Sequence, residues 1–375
     1  EAKRWWDKWL KGIETGVESD PAFRAYLMEG YRPSRFNAPR EGVWLADATS
    51  GGEMCEYSLG PDGRLGSEGE TRVEIASPQH CGLGGGEYYA IGRGPELSDD
   101  QRVDDLYSAV WTGPALARSV DIVGRPKLRL TLASETAQGQ ICVRLNHVHP
   151  DGACTRISFG VLNLTHRESS EAPEEMPIGK PVELEVELDH IAYRVPEGHR
   201  IAVAVSTAYW PLIWPSPEAG RVTVSGGALL LPERALADAD EWSFEEAAGA
   251  DGWQTEELRA PRNEKREITD HETGLITLII NDDFGKRRDS AHGLVSGGVS
   301  RETWVIHPDD PLSARGSTHW TEETERDDII LRTETFAEMK SDLNTFYLSG
   351  RLEAYENNVL IYARDVEEAI ARDMM

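Results

Sequence analysis

Two histidines one residue apart are the first candidates for chemistry in this chain of 375 residues. His147 and His149 lie on a predicted strand, where alternate side chains point to the same face. Cupin-type jelly rolls begin a metal site with such an H-x-H pair and add a glutamate and another histidine, here His166 or His199. His149, however, directly precedes the turn sequence Pro150–Gly152, where polar residues are expected anyway. We therefore expect a strand-end histidine pair, with no metal and no other cofactor.

A serine nucleophile of the α/β-hydrolase type needs the pentapeptide G-x-S-x-G, whose strained turn lifts the hydroxyl out of the sheet. The sequence does not contain this pentapeptide, and GLVSG at Gly293–Gly297 puts its serine one place too late. Scattered serine, histidine and aspartate residues are too common to indicate a triad. We expect no catalytic residue in this chain.

Two loops invite a ligand-binding interpretation. The glycine-rich segment Gly82–Gly94 is not followed by Lys-Ser/Thr or by a helix, so we expect a flexible crossing segment rather than a phosphate site. The segment AYWPLIWPSP holds Tyr209, Trp210 and Trp214 between prolines. These rings would suit a stacking platform for a sugar, or a plug packed against a neighbouring domain. The plug is the better interpretation, and it makes Trp210 and Trp214 candidate cleft or domain-interface residues.

The charge balance excludes several classes of partner. Lys plus Arg number 39 against 66 Asp plus Glu, which gives a net charge of −27. Such a chain repels phosphate backbones and anionic membrane surfaces. The longest charge-free apolar stretch, near Ile201–Pro217, carries Ser206, Thr207 and several prolines, so we predict no transmembrane helix. Four cysteines without a CxxC pair fit either a reducing compartment or incidental buried thiols, and we expect a cytoplasmic location.

The middle of the chain is predicted to be an antiparallel jelly-roll sandwich. Leu128–Leu132, Ile141–Leu145 and Val182–Leu188 alternate apolar with polar residues, as in strands with one buried face. Ile201–Val205 is apolar on both faces and is predicted to be a central strand. Short strands separated by Pro/Gly turns, without intervening helices, indicate a sandwich of this kind.

The last hundred residues are also predicted to be β-rich. After a linker in which Leu236–Asp251 is either a short helix or a solvated excursion, the block Asp270–Met375 has strand patterns throughout. Asn357-Asn358 marks a hairpin turn into Val359–Arg364. The predicted strands before that turn are Gly274–Ile280, Arg301–Ile306, Thr318–Thr324, Ile329–Phe336 and Thr345–Glu356.

The first residues are predicted to form an amphipathic helix with an aromatic stripe. Trp5, Trp6 and Trp9 recur at helical spacing and require a partner surface. The chain starts with Glu1 inside this helix, so we expect the helix to belong to a domain that precedes it.

Four segments follow one another in the order Arg4–Pro21, Asp99–Leu116, Val143–Arg167 and Val195–Pro217. Together they resemble the cocaine-esterase-like and X-prolyl dipeptidyl-peptidase-like serine hydrolases, the CocE/NonD type. Arg4–Pro21 is similar to the segment that follows the catalytic histidine in that family. Asp99–Leu116 is similar to the start of the family's C-terminal jelly roll, and Val143–Arg167 to its next strands. Val195–Pro217 resembles the family's P-G-H-R strand and aromatic loop.

The resemblance implies a mainly β, galactose-binding-like sandwich attached to an upstream α/β-hydrolase domain. The triad would lie upstream of Glu1, so no catalytic residue transfers to this chain, and His199 matches a structural strand residue. The implied divisions are a hydrolase tail (1–31), connecting strands (32–98), the jelly roll (99–235), a linker (236–269) and a β-rich extension (270–375).

The leading functional prediction is a non-catalytic region that braces the hydrolase domain and walls its cleft. Trp5, Trp6 and Trp9 would pack on that domain. The parent enzyme would hydrolyse small esters, amides or X-Pro dipeptides by acyl transfer. The alternatives are a carbohydrate-binding or adhesive jelly roll using Trp210 and Trp214, and a cupin-like metalloenzyme at His147 and His149.

Overall fold

The computed structural model describes residues 1–46, 51–92, 94–235, 241–246 and 249–375. Within these ranges the α-helices are α1 (Ala2–Lys11) and α2 (Arg102–Asp105). Single 3₁₀ turns lie at Val17–Ser19, Pro61–Gly63, Leu83–Gly85 and Leu164–His166. No helix in the described part of the chain is long and apolar enough to cross a membrane.

Strands make up most of the regular structure. The strands of the first two thirds are β1 (Arg24–Met28), β2 (Gly42–Ala46), β3 (Glu53–Ser58), β4 (Val73–Ile75), β5 (Ala109–Thr112), β6 (Val120–Gly124), β7 (Lys127–Ser134), β8 (Gln140–Val148), β9 (Cys154–Asn163), β10 (Val182–Glu187), β11 (Ile191–Val195), β12 (Arg200–Ser206) and β13 (Val222–Glu233). Those of the last third are β14 (Thr255–Arg259), β15 (Arg262–Thr269), β16 (Ile276–Asp289), β17 (Val295–His307), β18 (Asp310–Arg326), β19 (Ile329–Ser341), β20 (Thr345–Glu356) and β21 (Val359–Ala371).

Strands β1–β13 form two sheets. The large sheet has nine strands in the order β10-β7-β13-β6-β11-β1-β2, with β3 and β4 also paired to β13. The small sheet has the order β5-β12-β8-β9. Among these strands β1 and β11 pair in parallel, and the other pairs are antiparallel. The predicted mainly β, antiparallel fold is confirmed, and strands that precede residue 99 belong to the large sheet.

The alternation of apolar and polar residues along a strand determines which of its faces is buried. Leu128, Leu130 and Leu132 of β7 are at most 2% exposed. On the opposite face, Glu185 of β10 lies across from Arg129 of β7. A slip of one residue would bury these charged side chains, so the pattern fixes the register.

The core lies between the two sheets. It combines Leu130 and Leu229 of the large sheet with Leu145 and Val203 of the small sheet, all of them buried. Strand β12 is buried from Ile201 to Ser206 and is hydrogen-bonded on both sides, to β5 and β8. The prediction that Ile201–Val205 is a central strand is therefore confirmed.

The glycine-rich loop packs closely against the aromatic loop. Gly82 has a φ of 109°, and a Cβ there would lie 2.7 Å from the carbonyl carbon of Tyr209. The backbone N–H of Trp210 donates to the carbonyl of Cys81 at 2.7 Å. The glycine thus permits close backbone contact, whereas we expected a flexible crossing segment. Arg93, within the predicted segment, lies outside the described residues.

The third sheet contains the strands from β14 to β21. Its order is β14-β16-β17-β18-β19-β20-β21, with β15 also paired to β16. Every residue of β21 is exposed, so this end of the sheet is a single layer. Asn357 and Asn358 have φ values of 47° and 64°, as the predicted hairpin turn requires.

In the Leu236–Asp251 part of the linker, the residues that the structure describes, 241–246 and 249–251, form no helix. Residues 236–240 and 247–248 of the predicted helix or excursion lie outside the described residues. Trp242 donates its backbone N–H to the carbonyl of Trp44 at 2.8 Å, which holds this part of the linker beside β2.

Candidate functional site

The aromatic stripe of α1 lies on the surface. Trp5, Trp6 and Trp9 are 50%, 54% and 53% exposed. The segment that follows the helix holds it in place, because Arg4 forms an ion pair with Asp20 at 3.0 Å. Three half-exposed indoles on one short helix form an apolar surface of the kind that marks an interaction site.

The two tryptophans of the aromatic loop lie between the sandwich and the third sheet. Trp210 is 1% exposed and its ring meets that of Trp304 at 82°, with 5.8 Å between centroids. Ile306 and Ala314 of the third sheet complete this small core. Trp210 and Trp214 meet at 66°. They do not form a flat, exposed pair, so the observation that motivated a sugar platform is missing.

The end of the chain is attached to the same region. Arg372, 2% exposed, donates from Nη2 to the carbonyl of Pro215 at 2.6 Å and from Nη1 to Ser341 Oγ at 3.1 Å. Asn163 Nδ2 donates to the carbonyl of Met374 at 2.9 Å. These bonds join the third sheet to the sandwich beside the aromatic loop.

The serine of GLVSG is not presented as a nucleophile. Ser296 lies within β17, opposite Thr324 of β18 and Arg287 of β16. An antiparallel ladder on both sides keeps the backbone extended. The strained turn between a strand and a helix that exposes a catalytic serine is therefore absent at this position.

The predicted histidine pair gains a third member. His147 and His149 lie on and just after β8, with rings stacked at 4.1 Å and 29°. The antiparallel register places Ile201 of β12 opposite His147, which brings His199 alongside. His147 Nε2 lies 2.6 Å from His199 Nδ1. One ring nitrogen from each histidine lies within 4.8 Å of the others.

Neighbouring groups fix the orientation of two of the rings. His149 Nε2 donates to the carbonyl of Tyr31 at 3.1 Å, since a carbonyl can only accept. His147 Nδ1 shares a hydrogen bond of 2.9 Å with the Tyr193 hydroxyl. Sequence analysis missed Tyr31 and Tyr193, which are distant in sequence and carry no motif.

Burial keeps these imidazoles neutral. Loss of solvent, and then the neighbouring histidines His149 and His199, lower the pKa of His147 to about 3. Burial likewise lowers the pKa of His149 and of His199. The cluster therefore offers unprotonated ring nitrogens at neutral pH.

A comparison with known protein families identifies the family to which the sandwich is related. The family described as the X-Pro dipeptidyl-peptidase C-terminal non-catalytic domain matches residues 15–243. The chain belongs to this family. The matched region takes in the strands of both sandwich sheets, and the predicted resemblance to X-prolyl dipeptidyl-peptidase-like hydrolases is confirmed.

Curated sequences with similarity include two mycobacterial proteins. Putative serine esterases of Mycobacterium bovis and Mycobacterium tuberculosis are each 23% identical to the chain over 240 residues. The alignment covers 56% of this chain and 36% of either esterase. The chain thus spans little more than a third of the length of these relatives.

Solved structures with similarity include two named as hydrolases and one named as an aminopeptidase. An α-amino acid ester hydrolase is 18% identical with a TM-score of 0.42, over 48% of this chain and 36% of that one. An aminopeptidase from a Thaumarchaeota archaeon is 17% identical with a TM-score of 0.48, over 62% and 43%. A CocE/NonD family hydrolase from Staphylococcus aureus is 12% identical with a TM-score of 0.45, over 62% and 45%.

Proposed function

We propose that this chain is the non-catalytic region of a serine hydrolase, where it braces the α/β-hydrolase domain and forms one wall of its cleft. The observation that carries the proposal is the match of residues 15–243 to a family of non-catalytic hydrolase domains. The position of Ser296 in a regular strand agrees with a chain that supplies no nucleophile.

The aromatic stripe of α1 is the proposed contact with the hydrolase domain. A packed tryptophan buries ~150–250 Å², so Trp5, Trp6 and Trp9 together offer a sizeable apolar contact. The polar contacts of the helix with the rest of this chain run through Arg4 and Lys8 to the segment Glu14–Asp20. Its aromatic face is therefore available to an upstream domain.

The chemistry would belong to that hydrolase domain. A serine attacks the carbonyl of a small ester, an amide or an X-Pro dipeptide, and a histidine accepts the serine proton. Backbone N–H groups stabilise the oxyanion, the histidine passes its proton to the departing alcohol or amine, and water then hydrolyses the acyl-enzyme to release the acid. The present chain would contribute by holding the cleft in its productive shape.

The experiment compares the 375-residue chain with the full-length hydrolase that contains it, using p-nitrophenyl acetate and an Ala-Pro-anilide. We expect turnover by the full-length protein and none above buffer by the chain. In the full-length protein, the triple variant Trp5→Ser, Trp6→Ser, Trp9→Ser should lower kcat/KM by about 10-fold or more, because the cleft loses its support.

A matched control changes two exposed aromatic residues elsewhere. Tyr88 and Tyr89 are 88% and 80% exposed, and the variant Tyr88→Ser, Tyr89→Ser should leave kcat/KM unchanged. Turnover by the isolated chain at a rate near that of the full-length protein would refute the proposal. An unchanged kcat/KM in the tryptophan variant would refute the role of α1.

A further inference from the structure

We propose that His147, His149 and His199 form a binding site for a divalent transition-metal ion, with Zn²⁺ as the ion that suits it best. The site is independent of the contact with the hydrolase domain. Sequence analysis expected no metal because His149 directly precedes a turn, and it left open whether His166 or His199 would join the pair; the fold brings in His199.

The fold places one of the three side chains on a strand and the other two directly beside strand ends. His147 belongs to β8, and the pairing of β8 with β12 brings in His199, which ends the connection from β11. His147 is fully buried and His149 is 6% exposed. A Cβ at Gly30 would lie 2.9 Å from His147 Cε1, so the chain at Gly30 closes one side of the cluster.

The hydrogen bonds indicate which ring nitrogens of the cluster would bind an ion. Because His149 donates from Nε2 to the carbonyl of Tyr31, its Nδ1 carries the lone pair. Nδ1 of His147 is hydrogen-bonded to the Tyr193 hydroxyl, and Nε2 of His147 faces His199 Nδ1. Metal-binding histidines characteristically use their second nitrogen in this way, on a carbonyl or another polar group.

Movements of at most about 1.5 Å convert the cluster into a coordination site, since its ligand nitrogens all lie within 4.8 Å of one another. Zn–N bonds of ~2.0–2.1 Å at tetrahedral angles separate two ligand nitrogens by about 3.3 Å. His147 Nε2 and His199 Nδ1 are 2.6 Å apart, so the pair must open by less than an ångström and exchange its hydrogen bond for the ion. Imidazole nitrogen suits Zn²⁺, Cu²⁺ and Ni²⁺ rather than Mg²⁺ or Ca²⁺.

The arrangement also provides access and an open coordination position. His199 is partly exposed while the other two histidines are buried, so an ion can enter from the side of His199. Three protein ligands leave a fourth tetrahedral position for water. A bound ion would tie the β11–β12 connection to β8, which links the large sheet to the small one.

The test is a titration of the chelator-treated 375-residue chain with Co²⁺, followed by visible absorption, and then displacement by Zn²⁺. We expect one Co²⁺ per chain with the spectrum of nitrogen ligation, and a rise in the unfolding temperature with Zn²⁺. The variant His199→Gln should weaken binding by at least about 10-fold, and Tyr193→Phe by about 10-fold through loss of the orienting hydroxyl.

The matched control is His271→Gln, which changes an exposed histidine of the third sheet region and should leave the titration unchanged. Circular dichroism of each metal-free variant checks that the fold is retained. If His199→Gln does not fold, Tyr193→Phe, which keeps the ring, decides the result. No stoichiometric binding, or binding that these two substitutions leave unaltered, would overturn the proposal.

Discussion

The indole N–H of Trp214 donates a hydrogen bond to Ser341 Oγ at 3.0 Å, although the two residues are 127 positions apart. Ser341 also accepts a hydrogen bond from Arg372. One hydroxyl thus connects the aromatic loop of the sandwich, the end of β19 and the end of the chain. The third sheet is anchored to the sandwich at this point.

The substitution Arg372→Ala should lower the free energy of unfolding of the third sheet by about 1–3 kcal/mol, because the carbonyl of Pro215 and Ser341 Oγ lose a buried donor. Urea unfolding followed by tryptophan fluorescence measures the change. Arg364→Ala, at an exposed position of β21, is the control and should leave the midpoint unchanged. Equal midpoints for the two variants would contradict the anchoring role.

Gly160 marks the place where the two sheets of the sandwich come into backbone contact. A Cβ at Gly160 of β9 would lie 2.3 Å from the carbonyl oxygen of Glu187 in β10. Gly160→Ala should therefore destabilise the chain by about 1–3 kcal/mol in urea unfolding. Gly226→Ala is the control, since its nearest neighbour would be 3.8 Å away. A tolerated Gly160→Ala would mean that the sheets are further apart than described.

Glu334 makes the third sheet sensitive to acid. Burial opposes its ionisation, but hydrogen bonds from Thr321, His319 and Arg332 outweigh burial and hold the pKa of Glu334 below its ordinary value. A lowered carboxyl pKa in the folded state contributes stability above the unfolded pKa, and this contribution is lost as the pH falls through the folded pKa.

The variant Glu334→Gln should consequently be less stable than the natural chain at about pH 7, with a difference that shrinks as the pH falls below about 4.5. Urea midpoints measured across this range test the expectation. Glu338→Gln, at an exposed position of the same strand, should show no such convergence. A difference between Glu334→Gln and the natural chain that is independent of pH would argue against this account.

The exposed stripe on α1 should make the isolated chain self-associate. Trp5, Trp6 and Trp9 leave an apolar surface that water disfavours. Light scattering should give a mass above that of one chain, and the triple serine variant should restore the monomer. The variant Tyr88→Ser, Tyr89→Ser should still associate. A natural chain that is already monomeric at high concentration would contradict the prediction.

The sequence predicts the strands well because alternation depends on burial, which acts locally. Val182–Leu188 and Leu128–Leu132 alternate in the sequence and pair in register in the structure. Asn357-Asn358 likewise predicts its turn, since both residues tolerate a positive φ. Such signals lie within one element and need no knowledge of its neighbours.

Contacts between distant segments could not be predicted in the same way. Nothing near His199 indicates that β12 pairs with β8 in a register that brings it to His147. The sequence also does not predict that Gly82 packs against Tyr209, because a glycine required for close packing cannot be distinguished in sequence from a glycine in a flexible loop. The side chain of Trp210 is buried against the third sheet, and the sequence of that sheet carries no diagnostic motif that would predict this contact.

Labelling with a serine-directed fluorophosphonate tests the central claim most directly. The 375-residue chain is incubated with the probe, beside the full-length hydrolase, and the intact mass of each is measured. A chain that supplies no activated serine should gain no adduct, while the full-length protein gains one. A stoichiometric adduct on the isolated chain, abolished by prior heat denaturation, would show a nucleophilic serine within these sheets and contradict the non-catalytic assignment.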